Sequence, residues 1–176
     1  IIKDRLYCGD DADRAAAQTA LYRILDGMTR MLAPMLAFTS EEIWAAMPHA
    51  KSDEASCVLL NDIPDYDEKL CLSQELSDQW DKVIALRTDV NKALEAARGQ
   101  KLVGKSLDAE VTLYLTAEGK AAFDSMGQHD LAAVCIVSKV TVVEGEGQGI
   151  AGENFPGVTI AVAPSQAPKC RRCWTH

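Results

Sequence analysis

The sequence predicts an α+β chain in two parts: a helical-bundle segment followed by a small α+β domain. Three observations carry this. Apolar residues recur at three- and four-residue spacing through two long stretches, 14–48 and 80–97, the period of amphipathic helices. After Gly104 the period drops to two, as half-buried strands require. Between the helical stretches, residues 48–76 are rich in Pro, Ser, Asp and Asn and read as a linker. The boundary is expected near residues 70–78, which assigns 1–75 to helices and linker, 76–163 to the α+β domain and 164–176 to a tail.

Residues 1–8 read as the end of a helix or a connection into one, and Asp10, Asp11 and Asp13 suit the positive N-terminal end of the helix that follows. Leu21, Leu25, Met28 and Leu32 form its apolar stripe, with Arg23, Arg30 and Asp26 on an opposite face expected to be solvated and locally ion-paired. Pro34 removes a backbone donor and breaks the helix. Thr39 and Glu42 have the spacing of a capping box, and Phe38 and Ile43 that of a hydrophobic staple, so a second helix is expected from Thr39 to Met47-Pro48. The apolar run 57–60 is expected as a strand or a packed extended segment.

In the next helix Trp80, Val83, Ile84, Val90, Leu94 and Ala97 share a face, and Gly99 is a plausible stop. Arg87 and Asn91 fall at the edge of that stripe, where a positive charge needs a partner: a carboxylate from a neighbouring element, or a phosphate. Val111, Leu113 and Leu115 alternate with polar residues as a strand. A helix over 117–126, a helical turn over 131–134, strands over 134–143 and 158–162, and a glycine-rich loop over 145–152 complete an α+β unit.

Composition narrows the function. The 176 residues are 48% hydrophobic, enough for one ordinary domain or two small ones. No apolar run approaches the roughly 18 residues of a membrane helix, so no membrane partner is expected. Six scattered cysteines fit a reducing cytoplasm better than secretion. A chain opening on Ile1 and closing on His176 is expected to be a piece of a longer protein. The net charge of −8 argues against a general nucleic-acid binder. Its distribution leaves two basic places free of acids: Arg98, Lys101 and Lys105, and Lys169, Arg171 and Arg172. A polyanion would meet the chain there; otherwise both are solvated loops.

Gly99 to Ser106 satisfies G-x4-G-K-S, the letters of a nucleotide-binding P-loop. That loop must follow a strand and open a helix so that helical amides cradle phosphate. Here a helix precedes and a strand follows, so ATP binding is rejected. The three histidines lack a Ser or Cys partner at recognisable spacing, which leaves a hydrolytic triad without support. Cys170 and Cys173 have the C-x2-C spacing with which two thiolates grip one zinc ion. A redox pair is the rival, but it belongs at a helix start after a strand, and this one follows an extended segment. Trp174, between these cations and the chain end, can stack on a nucleobase or cover a metal site.

Arg14, Gln18-Thr19, Leu21-Tyr22, Ile24-Leu25, Arg30, Leu32-Ala33-Pro34, Leu36, Phe38-Thr39 and Glu41 to Trp44 together resemble the anticodon-binding helical domain of the class I aminoacyl-tRNA synthetases for Ile, Val, Leu and Met. Trp80, Val83, Leu86-Arg87, Asp89 to Glu95, Ala97-Arg98, Lys101, Val103 to Leu107, Ala109 to Val111 and Leu113-Tyr114 resemble the junction region of the isoleucyl enzymes, and C-x2-C-W resembles the first half of their bacterial zinc motif.

The resemblance implies a region that binds the anticodon stem-loop of tRNA(Ile), in a cytoplasmic, monomeric ligase that joins isoleucine to tRNA using ATP and magnesium. It implies zinc on Cys170 and Cys173, with His176 a possible third ligand and the second cysteine pair missing. RNA contacts would fall to Arg98, Lys101, Lys105, Lys169, Arg171, Arg172 and Trp174. The catalytic signatures are not in this sequence, so the chain alone is expected to be inert. The equivalent region of a valyl, leucyl or methionyl enzyme, or a protein-interaction module, are the alternatives.

Neither ATP nor GTP should bind at residues 99–106. A fluorescent-nucleotide titration checks this, and saturable binding abolished by Lys105→Ala would reveal a working P-loop.

Overall fold

A computed structural model of the chain describes residues 2–7, 9–171 and 174–176. The chain divides into two compact units, residues 2–71 and 72–176.

The first unit holds α1 (Ile2–Tyr7), α2 (Asp11–Leu32) and α3 (Ala37–Ala46). Asp10 caps α2, its Oδ1 accepting the Asp13 amide at 2.8 Å. The break at Pro34 is present, but α3 starts two residues before Thr39, with Leu36 at the N-cap and no side-chain cap. The expected capping box and staple do not form, and Phe38 is 91% exposed. Once α2 ends, the Leu36 carbonyl accepts the Ser40 amide at 2.8 Å, so the helix is nucleated by backbone alone.

On α2 the expected Asp26–Arg30 pair forms and Arg23 is exposed, but most of the expected apolar stripe is not the buried face. Leu21, Leu25 and Met28 are exposed, whereas Thr29 and Ala33 are buried and Arg30 lies inside. The Arg30 guanidinium donates to Asp26 at 2.9 Å and Asp53 at 3.0 Å, and lies 4.9 Å from the Trp44 ring centre. Burial opposes its charge, but the two carboxylates outweigh that and raise its pKa. Residues 48–71 are correspondingly more than a linker. They fold back on α2 and α3, with a 3₁₀ turn (Val58–Leu60) in place of a strand. Glu41 accepts the Val58 amide at 3.1 Å, and the Asn61 side chain bonds Glu54 and Cys57. Ala33, Trp44 and Val58 make the apolar centre.

The second unit opens with α4 (Gln74–Gly99), capped by Ser73. Its buried face is Val83, Leu86, Val90, Ala93, Leu94 and Ala97. Trp80 and Ile84, expected inside, lie outside because the buried stripe is rotated toward Leu86 and Ala93. Gly99 is still helical; the left-handed residue is Lys101 (φ 58°). The Lys101 amide donates to the Arg98 carbonyl and the Leu102 amide to that of Ala97, a Schellman ending in which Lys stands where Gly is usual.

β1 (Ala109–Leu115), α5 (Ala117–Asp124), α6 (Leu131–Cys135), β2 (Lys139–Glu144), β3 (Ile150–Ala151) and β4 (Val158–Pro164) follow. The strand expected over 134–143 is in its first part the end of α6, closed by Ile136 in the left-handed region (φ 57°). The sheet order is β2-β1-β4-β3, with β1 and β2 parallel and the other pairs antiparallel. Ala109, Val111, Leu113 and Leu115 of β1 point into one core with Ile160 of β4 and the buried face of α4.

Asp89, on that buried face, is 1% exposed. Its carboxylate accepts the Phe155 amide at 2.8 Å, the Asn154 amide at 2.9 Å and the Asn154 side-chain amide at 2.6 Å. Gly152 lets this loop approach, since a Cβ there would stand 2.8 Å from Asp89 Oδ2. Burial pushes the Asp89 carboxyl up, but the amides of residues 153–155 outweigh it and hold it below the usual value.

Asp89→Ala should therefore lower the stability of residues 72–176 by about 3 kcal/mol, since it strands buried donors; urea unfolding measures it. Because the folded pKa is depressed, Asp89 stabilises fully above its unfolded value near 3.8 and the contribution fades as pH falls through the lower folded one. The variant should lose that part of the acid transition.

Candidate nucleic-acid interface

The two basic segments that lie far apart in sequence meet around Asp108. Lys105 ends the turn after α4 and precedes a 3₁₀ turn (Ser106–Asp108) that feeds β1. The order is helix, turn, strand, so the P-loop letters sit on the reverse of a phosphate-cradling backbone. At the far end, the tail leaves β4 and folds back: the Ser165 amide donates to the Asp108 carbonyl at 2.8 Å and its hydroxyl to Glu110 at 2.7 Å. Asp108 Oδ1 then receives Lys169 Nζ at 3.2 Å and His176 Nε2 at 3.3 Å. Lys169 is the main cause that holds the Asp108 carboxyl below its usual value, against partial desolvation and helped by the Lys105 amide and His176.

Trp174 is placed by a turn in which the Cys170 amide donates to the Thr175 carbonyl and the Trp174 amide to the Cys170 carbonyl. Its backbone is left-handed (φ 67°) and the residue is 57% exposed. Lys105 Nζ stands 5.6 Å from the indole centre, a cation–π distance. Lys105, Lys169 and Trp174 thus share one surface, and Arg171 is exposed on the same turn. Lys101 is exposed beyond the end of α4. Arg98 is engaged within the fold by Glu95 and the Ser106 hydroxyl, so it shapes the turn more than it faces solvent. Arg172 and Cys173 lie outside the described residues.

Asp108 and Ser165 are the members of this surface that sequence reasoning missed, and His176 was singled out there only as a metal ligand. No periodicity marks them; what joins Asp108 to His176 is the sheet register that returns β4 beside β1. His176, considered as a metal ligand, has Nδ1 2.8 Å from the Ala167 carbonyl and Nε2 on Asp108, so both ring nitrogens are in use. Among the described residues no group of three or more His, Cys, Asp or Glu side chains could hold a metal. Two thiolates fall short of the four ligands of a structural zinc.

The sequence model for the anticodon-binding domain of tRNA ligase matches residues 1–113, and the chain belongs to that family. Isoleucine–tRNA ligases of Syntrophotalea carbinolica and Caldanaerobacter subterraneus subsp. tengcongensis are each 40% identical over 100% of this chain. That of Haemophilus influenzae is 37% identical, also over 100% of the chain. The chain spans about 19% of the length of each of these relatives.

With two thiolates at hand, zinc should bind this chain weakly. Competition against a chromophoric chelator measures it; tight stoichiometric uptake would mean that further ligands are drawn in.

Proposed function

We propose that this chain is the part of an isoleucine–tRNA ligase that holds the anticodon stem and loop of tRNA(Ile). The carrying observation is the identity with ligases of that name along the whole chain, including the tail that builds the Trp174 surface. Lys101, Lys105, Lys169 and Arg171 supply local positive charge for phosphates in a chain whose net charge is −8. Trp174 offers an exposed ring on which an unpaired base can stack, as single-stranded RNA readers do. The same relatives favour isoleucine over valine, leucine or methionine as the parent's amino acid.

Isoleucine activation, with its ATP and magnesium, then belongs to a catalytic domain outside these residues, and the chain alone is inert. Cys170 and Cys173 would give a zinc ion two of its four ligands. Leu21, Leu25 and Met28, exposed along α2, suit packing against further helices of the bundle. No described helix is long and apolar enough to cross a membrane; a monomer acting in the cytoplasm completes the proposal.

Filter binding of tRNA(Ile) transcript at two salt concentrations tests it. Affinity should fall as salt rises, and Trp174→Ala should weaken binding by about 1–3 kcal/mol, the range of one base stack. Absence of tRNA binding at either salt concentration would favour the protein-interaction alternative.

A further inference from the structure

We propose that Arg87 forms a second phosphate contact for the bound RNA, on α4 and separate from the Asp108 surface. This rests on the RNA-binding reading above. Arg87 stands eleven residues before Arg98, about 16 Å along the helix at 1.5 Å per residue.

Counter-charge is what Arg87 is missing. It is half-buried, and its Nε is shielded from solvent without a hydrogen-bond partner. No carboxylate among the described residues forms an ion pair with it. The residues one turn away on α4 are Val83, Ile84, Val90 and Asn91, none of them acidic. The helix packed against this part of α4, α6, reads Leu-Ala-Ala-Val-Cys. Its Cys135 lies near Arg87, but burial pushes that thiol up to about 11, so it stays neutral and supplies no anion. A fold gains nothing from shielding one nitrogen of a guanidinium that it does not bond. A phosphodiester supplies what is missing: a fixed negative charge and acceptors matched to the planar fork of Arg.

The surroundings fit a nucleotide. Trp80, Ile84, Arg87 and Asn91 follow one another at four, three and four residues, so they lie along one side of α4. Trp80 is 37% and Ile84 55% exposed, and the Trp80 ring meets His129 at 4.9 Å between centres. Sugar and base can rest on Ile84 and Trp80 while the phosphate meets Arg87.

The test uses the 176-residue chain, tRNA(Ile) transcript as probe, and Arg87→Met, which keeps the apolar stem and removes the charge. The melting temperature should hold or rise, because an unpaired shielded donor is gone. RNA affinity should fall about tenfold, the scale of one charge-assisted hydrogen-bonded contact, and the slope of log affinity against log salt should shrink by about 0.7–0.9. Arg87→Lys should keep the slope. Unchanged affinity and slope in Arg87→Met, with the unaltered chain binding normally, overturns this proposal and leaves the RNA-binding reading intact. Failure of the unaltered chain to bind RNA overturns both. If Arg87→Met melts earlier and binds less, Arg87→Lys decides: restored affinity supports the phosphate contact, and continued loss overturns it.

Discussion

Three amide donors on one buried carboxylate hold residues 72–176 in register. Asp89 takes the Asn154 and Phe155 backbone amides and the Asn154 side chain, and so fixes where the chain turns before β4. β4 is the strand that β1 and β3 both need, since it lies between them. From its end the tail returns to Asp108, the residue immediately before β1, where Lys169 and His176 dock. The candidate RNA surface is therefore downstream of Asp89 in a mechanical sense. Its cations are placed by a strand whose entry a single aspartate anchors.

Residues 2–71 use the same device with the sign reversed. Arg30 is the buried charge, Asp26 and Asp53 its partners, and Trp44 the ring beneath it. With an apolar cluster as small as Ala33, Trp44 and Val58, this unit relies on polar geometry to tie residues 48–71 to the helices. Paired buried charges add less net stability than their Coulomb energy suggests, but losing one partner is costly. That asymmetry makes Arg30 and Asp89 points of order in their units. Arg87, its Nε shielded without such a partner, stands apart from both.

What was legible in the sequence was whatever periodicity or spacing encodes. The break at Pro34, the long helix before Gly104, and the alternation of Val111, Leu113 and Leu115 all appear where the pattern puts them. Which side of a helix faces inward was less legible. On α2 the apolar residues outnumber what the unit can bury, and Arg30 displaces them because it finds two carboxylates. Thr39 has the chemistry of a cap, yet the chain after Pro34 turns helical two residues sooner. At the site, Lys105 and Trp174 were visible as residue types, but their proximity depends on long-range sheet pairing that no local pattern carries.

The separation of 65 positions from Asp89 to Asn154 also sets a schedule. A ribosome adding about 5–20 residues each second delivers the partners of Asp89 roughly 3–13 s after Asp89 itself. Until then the Asp89 carboxylate on α4 has water in place of the amides of residues 154 and 155, and β1 lacks its antiparallel neighbour. The helical unit, whose contacts are nearer in sequence, has no such wait. The nascent chain thus passes through an interval in which one unit can close and the other cannot, and the last strand to emerge completes the sheet that places the tail.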